Sequence, residues 1–126
     1  MKETKIYFSK ELNAVVCEFN GFLKTEKFIE FGFETNNLLV KHSAQKQLNN
    51  VQNMKVLTKE AHAWVDEVWY PKAKASGLKH FAFVVPKDVF GKASMDAVNV
   101  NIKEKYGINI KYFTDVEEAK QWLISQ

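Results

Sequence analysis

The chain has 126 residues, of which 46% are hydrophobic and 26% charged, and its formal charge is +3. This length and composition are typical of one soluble globular domain, so we expect a single domain over residues 1–126. The basic and acidic residues interleave along the sequence, which argues against nucleic acid as a partner. No apolar segment is long enough to predict membrane insertion or a leader peptide, and we expect a cytoplasmic location.

Residues 6–8 and 14–19 are short apolar segments that predict a β-hairpin at the start of a sheet. Cys17 lies in the second segment, and we interpret it as a buried hydrophobic residue rather than a reactive thiol. Thr25 then predicts the N-cap of a long helix. The apolar positions of this helix are Phe28, Ile29, Phe31, Phe33, Leu38, Leu39 and Val40. They cover more than half of its circumference, so another helix, a second subunit or a ligand must cover what the sheet leaves exposed.

Residues 46–51 predict a strand and residues 52–57 a loop, because helical patterns flank both segments. Thr58 predicts the N-cap of a second helix. Its apolar positions recur at helical spacing and are Ala61, Trp64, Val65, Val68 and Trp69. Pro71 requires this helix either to kink or to restart with the proline in a first turn.

The apolar stretch 77–86 lies between a glycine and a proline and predicts the central, buried strand of the sheet, with parallel neighbours. Residues 89–93 predict a loop that carries Phe90, and Ser94 predicts the cap of a third helix. Residues 108–112 predict the last strand, and Thr114 or Asp115 starts a capping box before the last helix. Together these elements predict an α/β fold, a small mixed β-sheet with an N-terminal hairpin and parallel strands, flanked by about four helices.

Motifs for metal binding and catalysis are absent from the sequence. The histidines, His42, His62 and His80, have no Cys/His spacing of a metal site around them. The glycines are isolated from one another, and no serine lies in a nucleophile-elbow motif. We therefore predict no metal, no cofactor and no enzymatic activity.

The aromatic side chains of the second helix, Trp64 and Trp69, have two interpretations. Aromatic residues at helical spacing usually face the sheet, and core packing is the simpler interpretation. In the alternative, they line a pocket for a small apolar or lipid-like ligand, or a protein interface.

Two segments carry a resemblance to a known family: residues 50–58, which lead into Trp64, Trp69 and Pro71, and residues 75–86. With these segments in this order, the chain resembles the SpoIIAA-like (STAS-like) domains over most of its length. The resemblance implies a small mixed sheet flanked by helices, often in a dimer. For the true anti-sigma-factor antagonists among these domains, the resemblance also implies a regulatory Ser or Thr. This residue is phosphorylated and lies at the start of the helix after the third strand. Thr58 occupies that place, but residues 51–55 read Val-Gln-Asn-Met-Lys where the antagonists carry an Asp-Ser-Ser-Gly type sequence. Plain N-capping is the other role open to Thr58.

Two functional hypotheses follow. In the first, the protein is a non-enzymatic STAS-like regulatory or protein-interaction domain, a homodimer with a regulatory protein partner in bacterial regulation or stress physiology. In the second, it binds a small apolar or lipid-like ligand. Ligands of open α/β sheets bind beyond the carboxyl ends of the strands. The predicted regulatory or ligand rim therefore lies at that end of the 77–86 strand, and its residues are Thr58, Trp64, Trp69 and Phe90.

Overall fold

The computed structural model describes residues 3–55, 57–87 and 101–126. The strands are β1 (Lys5–Ser9), β2 (Ala14–Gly21), β3 (Lys46–Met54), β4 (His80–Val84) and β5 (Asn109–Phe113). The helices are α1 (Thr25–His42), α2 (Lys59–Trp64), α3 (Tyr70–Ala75), α4, of which residues 101–106 are described, and α5 (Val116–Ile124). The predicted loop at 89–93, with Phe90, and the predicted cap Ser94 lie outside the described residues.

The strands form one five-stranded sheet in the order β1-β2-β3-β4-β5. β1 and β2 pair antiparallel, as the predicted hairpin requires, and every other pair is parallel. The predicted mixed sheet and α/β fold are confirmed. Because β2 to β5 run in the same direction, the sheet has two distinct ends. We call the end at Gly21, Met54, Val84 and Phe113 the carboxyl edge, and the end at Ala14, Lys46, His80 and Asn109 the amino edge.

The middle strand of the sheet is β3, so the prediction that residues 77–86 form the central strand is wrong about position. β4 is nevertheless buried and parallel, as expected. β3 also extends to Met54, where a loop was expected from residue 52. Its polar side chains explain both errors. Gln47 is 1% exposed, and its Nε2 donates to Asn49 Oδ1 at 3.0 Å and to Cys17 Sγ at 3.7 Å.

Helices cover both faces of the sheet. On one face, α1, α2 and α3 pack against the sheet around Leu39, Trp69 and Phe81. On the other face, α5 packs through Leu123 against a second apolar cluster. Asp115 is the N-cap of α5 and accepts a hydrogen bond from the Glu117 N–H at 2.9 Å, which confirms one of the two predicted caps. The apolar cluster on the first face is the larger of the two and carries most of the aromatic side chains.

The chain passes from α2 to α3 without a break, through a π-helical turn at Val65–Trp69. The Tyr70 N–H donates to the Val65 carbonyl, a bond that spans five residues and widens the helix. Pro71 then lies in the first turn of α3, where its missing N–H needs no partner. The first-turn position predicted for Pro71 is confirmed, but the predicted stop of the helix before it is wrong, because the helix continues through the π-helical turn. The wide turn directs both Trp69 and Tyr70 into the core, where each is 5% exposed.

His80 begins β4 and packs edge-on against Trp122 of α5, with ring centroids 6.1 Å apart. Burial, followed by the positive charges of Lys46 and Lys79, holds the pKa of the His80 imidazole below its ordinary value. The unfolded chain therefore takes up a proton near pH 6.5 that the folded state resists, and we expect the free energy of unfolding to fall as the pH drops below about 6.5. In urea titrations at a series of pH values, His80→Gln should remove part of this fall. His62→Gln, at an exposed position of α2, is the control, and equal pH profiles for wild type and His80→Gln would contradict the prediction.

Candidate functional site

Two helices begin side by side at the carboxyl edge. Thr58 is the N-cap of α2, and its Oγ1 accepts a hydrogen bond from the Ala61 N–H at 3.1 Å. Thr25 is the first residue of α1, and its Oγ1 lies 2.6 Å from Thr58 Oγ1. We call Thr25 and Thr58 the threonine pair. Their hydroxyl–hydroxyl bond joins the starts of two helices across 33 positions of sequence.

The structure confirms Thr58 as a cap and corrects the prediction for Thr25. The N-cap of α1 is Lys24, whose side chain makes no capping bond. Thr25 lies one residue inside the helix, and its hydroxyl is used by Thr58. A capping side chain must come from the extended residue before the first turn, and Lys24 holds that conformation, with φ −64° and ψ 150°.

Replacing Thr58 by alanine should lower the free energy of unfolding by about 1 kcal/mol, because the Ala61 N–H loses its acceptor. Thr58→Ser keeps the hydroxyl and is the matched control, with an expected loss of only a few tenths. If the bond between the threonine pair adds to stability, the effects of Thr58→Ala and Thr25→Ala will not be additive in a double-mutant cycle. Chemical denaturation of the four proteins measures both quantities, and a Thr58→Ala variant as stable as wild type would contradict the capping role.

Further hydrogen bonds hold the carboxyl edge together. The Lys55 N–H donates to the Gly21 carbonyl at 2.9 Å and joins the ends of β3 and β2. Gln52 Nε2 donates to the Thr114 carbonyl at 2.9 Å and reaches the end of β5. Beside this framework Phe22 is 63% exposed. The carboxyl edge therefore carries the exposed ring of Phe22 and the hydroxyl groups of the threonine pair, on backbone segments that hydrogen bonds hold in place.

An open recess with a volume of about 390 Å³ lies at the carboxyl edge, and it is lined by Glu3, Thr4, Asn20, Leu23, Lys27 and Phe31. The Lys27 ammonium lies 5.1 Å from the centre of the Phe31 ring and 3.3 Å from Glu30 Oε2. Among residues 3–55, 57–87 and 101–126, no group of three His, Cys, Asp or Glu side chains could hold a metal ion. The groups at this edge are aromatic rings, hydroxyl groups and the Lys27 ammonium, which are groups for non-covalent binding of another molecule.

Three of the four residues predicted for the rim are described, and these three lie in different surroundings. Thr58 lies at the carboxyl edge, and Phe90 is outside the described residues. Trp64 is half-buried at the end of α2, edge-on to Phe28 and Phe33 with ring centroids 6.4 and 5.2 Å away. Trp69 is 5% exposed in the core.

Trp69 fills the space between its own helix, which runs from α2 through the π-helical turn into α3, and the sheet. Its ring lies 5.3 Å from that of Phe81, and its Nε1 donates to the Gly32 carbonyl at 3.2 Å and to Thr35 Oγ1 at 3.0 Å. Core packing accounts for every one of these contacts. The structure therefore does not favour the alternative of an apolar ligand held between this helix and the sheet.

Cys17 is fully buried, and burial, followed by the negative charge of Glu34, raises the pKa of its thiol far above the ordinary value. Burial likewise raises the pKa of the Tyr70 hydroxyl. A thiol that stays protonated is a poor nucleophile. This confirms the interpretation of Cys17 as a buried hydrophobic residue.

Phe22 and Thr25 were not identified from the sequence as residues of the carboxyl edge, and Gly32 was not identified as a contact of Trp64 and Trp69. Gly32 carried a signal, because a glycine in the middle of a helix is costly and often marks a close approach of another side chain. Phe22 is a single aromatic residue in a loop, and the partner of Thr25 is remote in sequence. Neither has a local pattern that identifies it.

No protein-family model and no curated protein matches the chain. Among the described residues, no helix is both long enough and apolar enough to cross a membrane. Similarity appears instead among solved structures. An uncharacterised protein of the DUF3478 family with a SpoIIAA-like fold, from Shewanella loihica PV-4, is 17% identical with a TM-score of 0.65; the match covers 96% of this chain and 92% of that one.

The anti-sigma factor antagonist SpoIIAA, in its unphosphorylated form, is 11% identical with a TM-score of 0.63, over 96% of this chain and 97% of its own. At these identities the similarity establishes the fold. The predicted resemblance is confirmed at that level: this chain has the SpoIIAA-like fold, a mixed five-stranded sheet flanked by helices.

Proposed function

We propose that the protein is a non-enzymatic, STAS-like regulatory domain that binds a protein partner at its carboxyl edge. The observation that carries the proposal is the threonine pair, which lies where two helices begin, beside the exposed Phe22. The fold is shared with an anti-sigma factor antagonist whose structure represents an unphosphorylated form. The proposed cellular location is the cytoplasm.

Thr58 is the proposed point of regulation. A phosphate there would replace the hydroxyl that bonds Thr25 and add about two negative charges at the start of α2. The N-terminal end of a helix favours such a charge, whereas the nearby Glu60 opposes it. Phosphorylation would therefore change both the charge of the edge and the link between the two helices.

Affinity capture from cells of the source organism tests the proposal with three matched variants. Thr58→Asp adds a negative charge and keeps a capping oxygen, Thr58→Ser keeps the hydroxyl, and Gln121→Glu adds the same charge at an exposed position of α5 on the opposite face of the sheet. We expect a partner that wild type, Thr58→Ser and Gln121→Glu all retain, and that Thr58→Asp loses by at least about ten-fold. If wild type and the three variants all capture the same proteins in equal amounts, the proposed site is contradicted.

The proposal includes a homodimer formed through the outer face of α1. Phe33 on that face is 39% exposed, and its ring contacts Trp64 and lies 5.6 Å from the Lys72 ammonium. An aromatic side chain in such a position gains contact area when a second copy covers it. Sedimentation velocity at high micromolar concentration should give a dimer for wild type and a monomer for Phe33→Ser, and a wild-type monomer would contradict this part of the proposal.

A further inference from the structure

The amino edge concentrates basic side chains that are scattered in the sequence. Among the described residues, the turns, strand starts and helix ends at this edge carry Lys10, Lys41, Lys46, Lys74, Lys79, Lys103 and Lys105, with Glu11 and Glu104 as the acidic residues. All of these lysines except the half-buried Lys46 are exposed. The ion pairs among residues 3–55, 57–87 and 101–126 are Lys27–Glu30 and Lys120–Glu117, and neither includes any of the seven. The fold thus segregates charges that interleave along the chain.

Helix stability explains only part of this concentration. Lysines near the C-terminal end of a helix interact favourably with its dipole, which accounts for Lys41 and Lys74 and for the two lysines near the end of α4. Lys10 lies in the hairpin turn, and Lys46 and Lys79 lie at or just before strand starts. These three lie at no helix end, and the dipole argument gives no reason for them.

Hydrogen bonds between backbone groups bring the middle of this surface together. The Gln45 carbonyl accepts from the N–H groups of Lys79 and His80 at 2.8 and 3.0 Å, and the Lys79 carbonyl accepts from Asn109 at 2.7 Å. Lys46 pairs with His80 in the sheet register. The starts of three strands are therefore joined, with helix ends on both sides of them.

Exposed aliphatic side chains accompany the lysines. Val40 in the last turn of α1 is 64% exposed, and Ile124 at the end of α5 is 47% exposed. The two helices cover opposite faces of the sheet, so these side chains lie on either side of the row of strand starts. A basic surface with aliphatic residues on both sides is suited to a bilayer with anionic headgroups, where charge attraction and shallow apolar burial act together.

We propose that the amino edge is a docking surface for an anionic lipid bilayer, which the protein binds peripherally. The seven lysines supply the charge complementarity, and Val40 and Ile124 supply apolar contact at the headgroup level. The chain has no arginine, the residue best suited to bidentate phosphate contacts and base recognition in nucleic acids. In this orientation the carboxyl edge points away from the membrane, so the inference does not depend on the partner site proposed there. Val40 lies on the same face of α1 as Phe33, and the charge contacts of the lysines do not require it.

Vesicle flotation tests the inference with a matched pair of variants. The probe is phosphatidylcholine vesicles with and without about 30% phosphatidylglycerol, at low and high salt. The amino-edge variant carries Lys41→Gln, Lys74→Gln and Lys79→Gln; the carboxyl-edge control carries Lys24→Gln, Lys55→Gln and Lys59→Gln and has the same net charge. Circular dichroism and thermal unfolding establish that both variants are folded.

We expect wild type and the control to bind the anionic vesicles at low salt and to leave them at high salt. Each lysine near an anionic surface strengthens binding about five-fold, so the amino-edge variant should bind roughly 100-fold more weakly. Val40→Ser should weaken binding without altering its salt dependence. The inference is overturned if wild type does not bind, if both triple variants weaken equally, or if polyglutamate or a short DNA duplex binds wild type more tightly than the vesicles do.

Discussion

Replacing Trp69 by alanine is expected to lower the free energy of unfolding by about 3 to 5 kcal/mol. The side chain is 5% exposed and packs against Phe81 in the larger of the two apolar clusters. Its indole N–H donates to Gly32 and Thr35, so truncation leaves a cavity and removes the donor from two buried acceptors. Guanidinium titration followed by circular dichroism measures the loss.

Trp69→Phe separates the two contributions. Phenylalanine keeps most of the ring volume but has no N–H. The Gly32 carbonyl still accepts from Thr35 Oγ1 at 2.7 Å, so the expected loss is about 0.5 to 1.5 kcal/mol, that of one hydrogen bond. Trp69→Ala should then cost clearly more than Trp69→Phe. An alanine variant that loses less than about 1 kcal/mol would mean that the ring is not part of the core, and the ligand-binding interpretation would regain support.

Elements set by local chemistry were predictable from the sequence. The hairpin, the N-cap at Thr58 and the first-turn position of Pro71 each depend on residues within one or two turns of the feature. The π-helical turn before Pro71 was not anticipated. It reconciles a continuous helix with the proline and brings Trp69 and Tyr70 to the same side.

Strand order was not predictable by the same means. β4 is the most apolar strand, and composition made it the candidate for the centre of the sheet. The centre is β3, whose buried Gln47 is satisfied in part by Asn49 and Cys17, contacts that exist only once the strands are paired. A polar side chain in a central strand needs a partner from elsewhere in the fold, and periodicity carries no information about that partner.

The two candidate surfaces, the carboxyl edge and the amino edge, were even harder to predict, because residues far apart in sequence form them. Thr25 has the local features of a cap, but its hydroxyl bonds Thr58 instead. The grouping of lysines at the amino edge likewise arises from topology, because turns, strand starts and helix ends that are far apart in sequence meet there. A sequence with interleaved charges can therefore fold into a surface that is mainly basic.

Gly32→Ala provides a test of close packing in which the expected sign is opposite to the usual one. In a helix interior, replacing glycine by alanine normally stabilises the protein by about 1 kcal/mol. At this position in α1, the new Cβ would collide with the ring of Trp64 and come within 3.3 Å of Trp69 Cδ1. Phe28 and Phe33 contact the Trp64 ring and restrict its movement. We therefore expect the free energy of unfolding to fall by about 1 to 3 kcal/mol.

The same substitution in a Trp64→Ala background is the decisive control. With the ring removed, the collision with Trp64 no longer exists, and the helix preference of alanine should make Gly32→Ala neutral or stabilising by up to about 1 kcal/mol. The coupling between the two positions, measured by denaturant titration of all four proteins, should therefore exceed about 1 kcal/mol. A stabilising effect of Gly32→Ala in the wild-type background would mean that Trp64 moves freely, and that the contact between α1 and α2 is looser than the aromatic packing indicates.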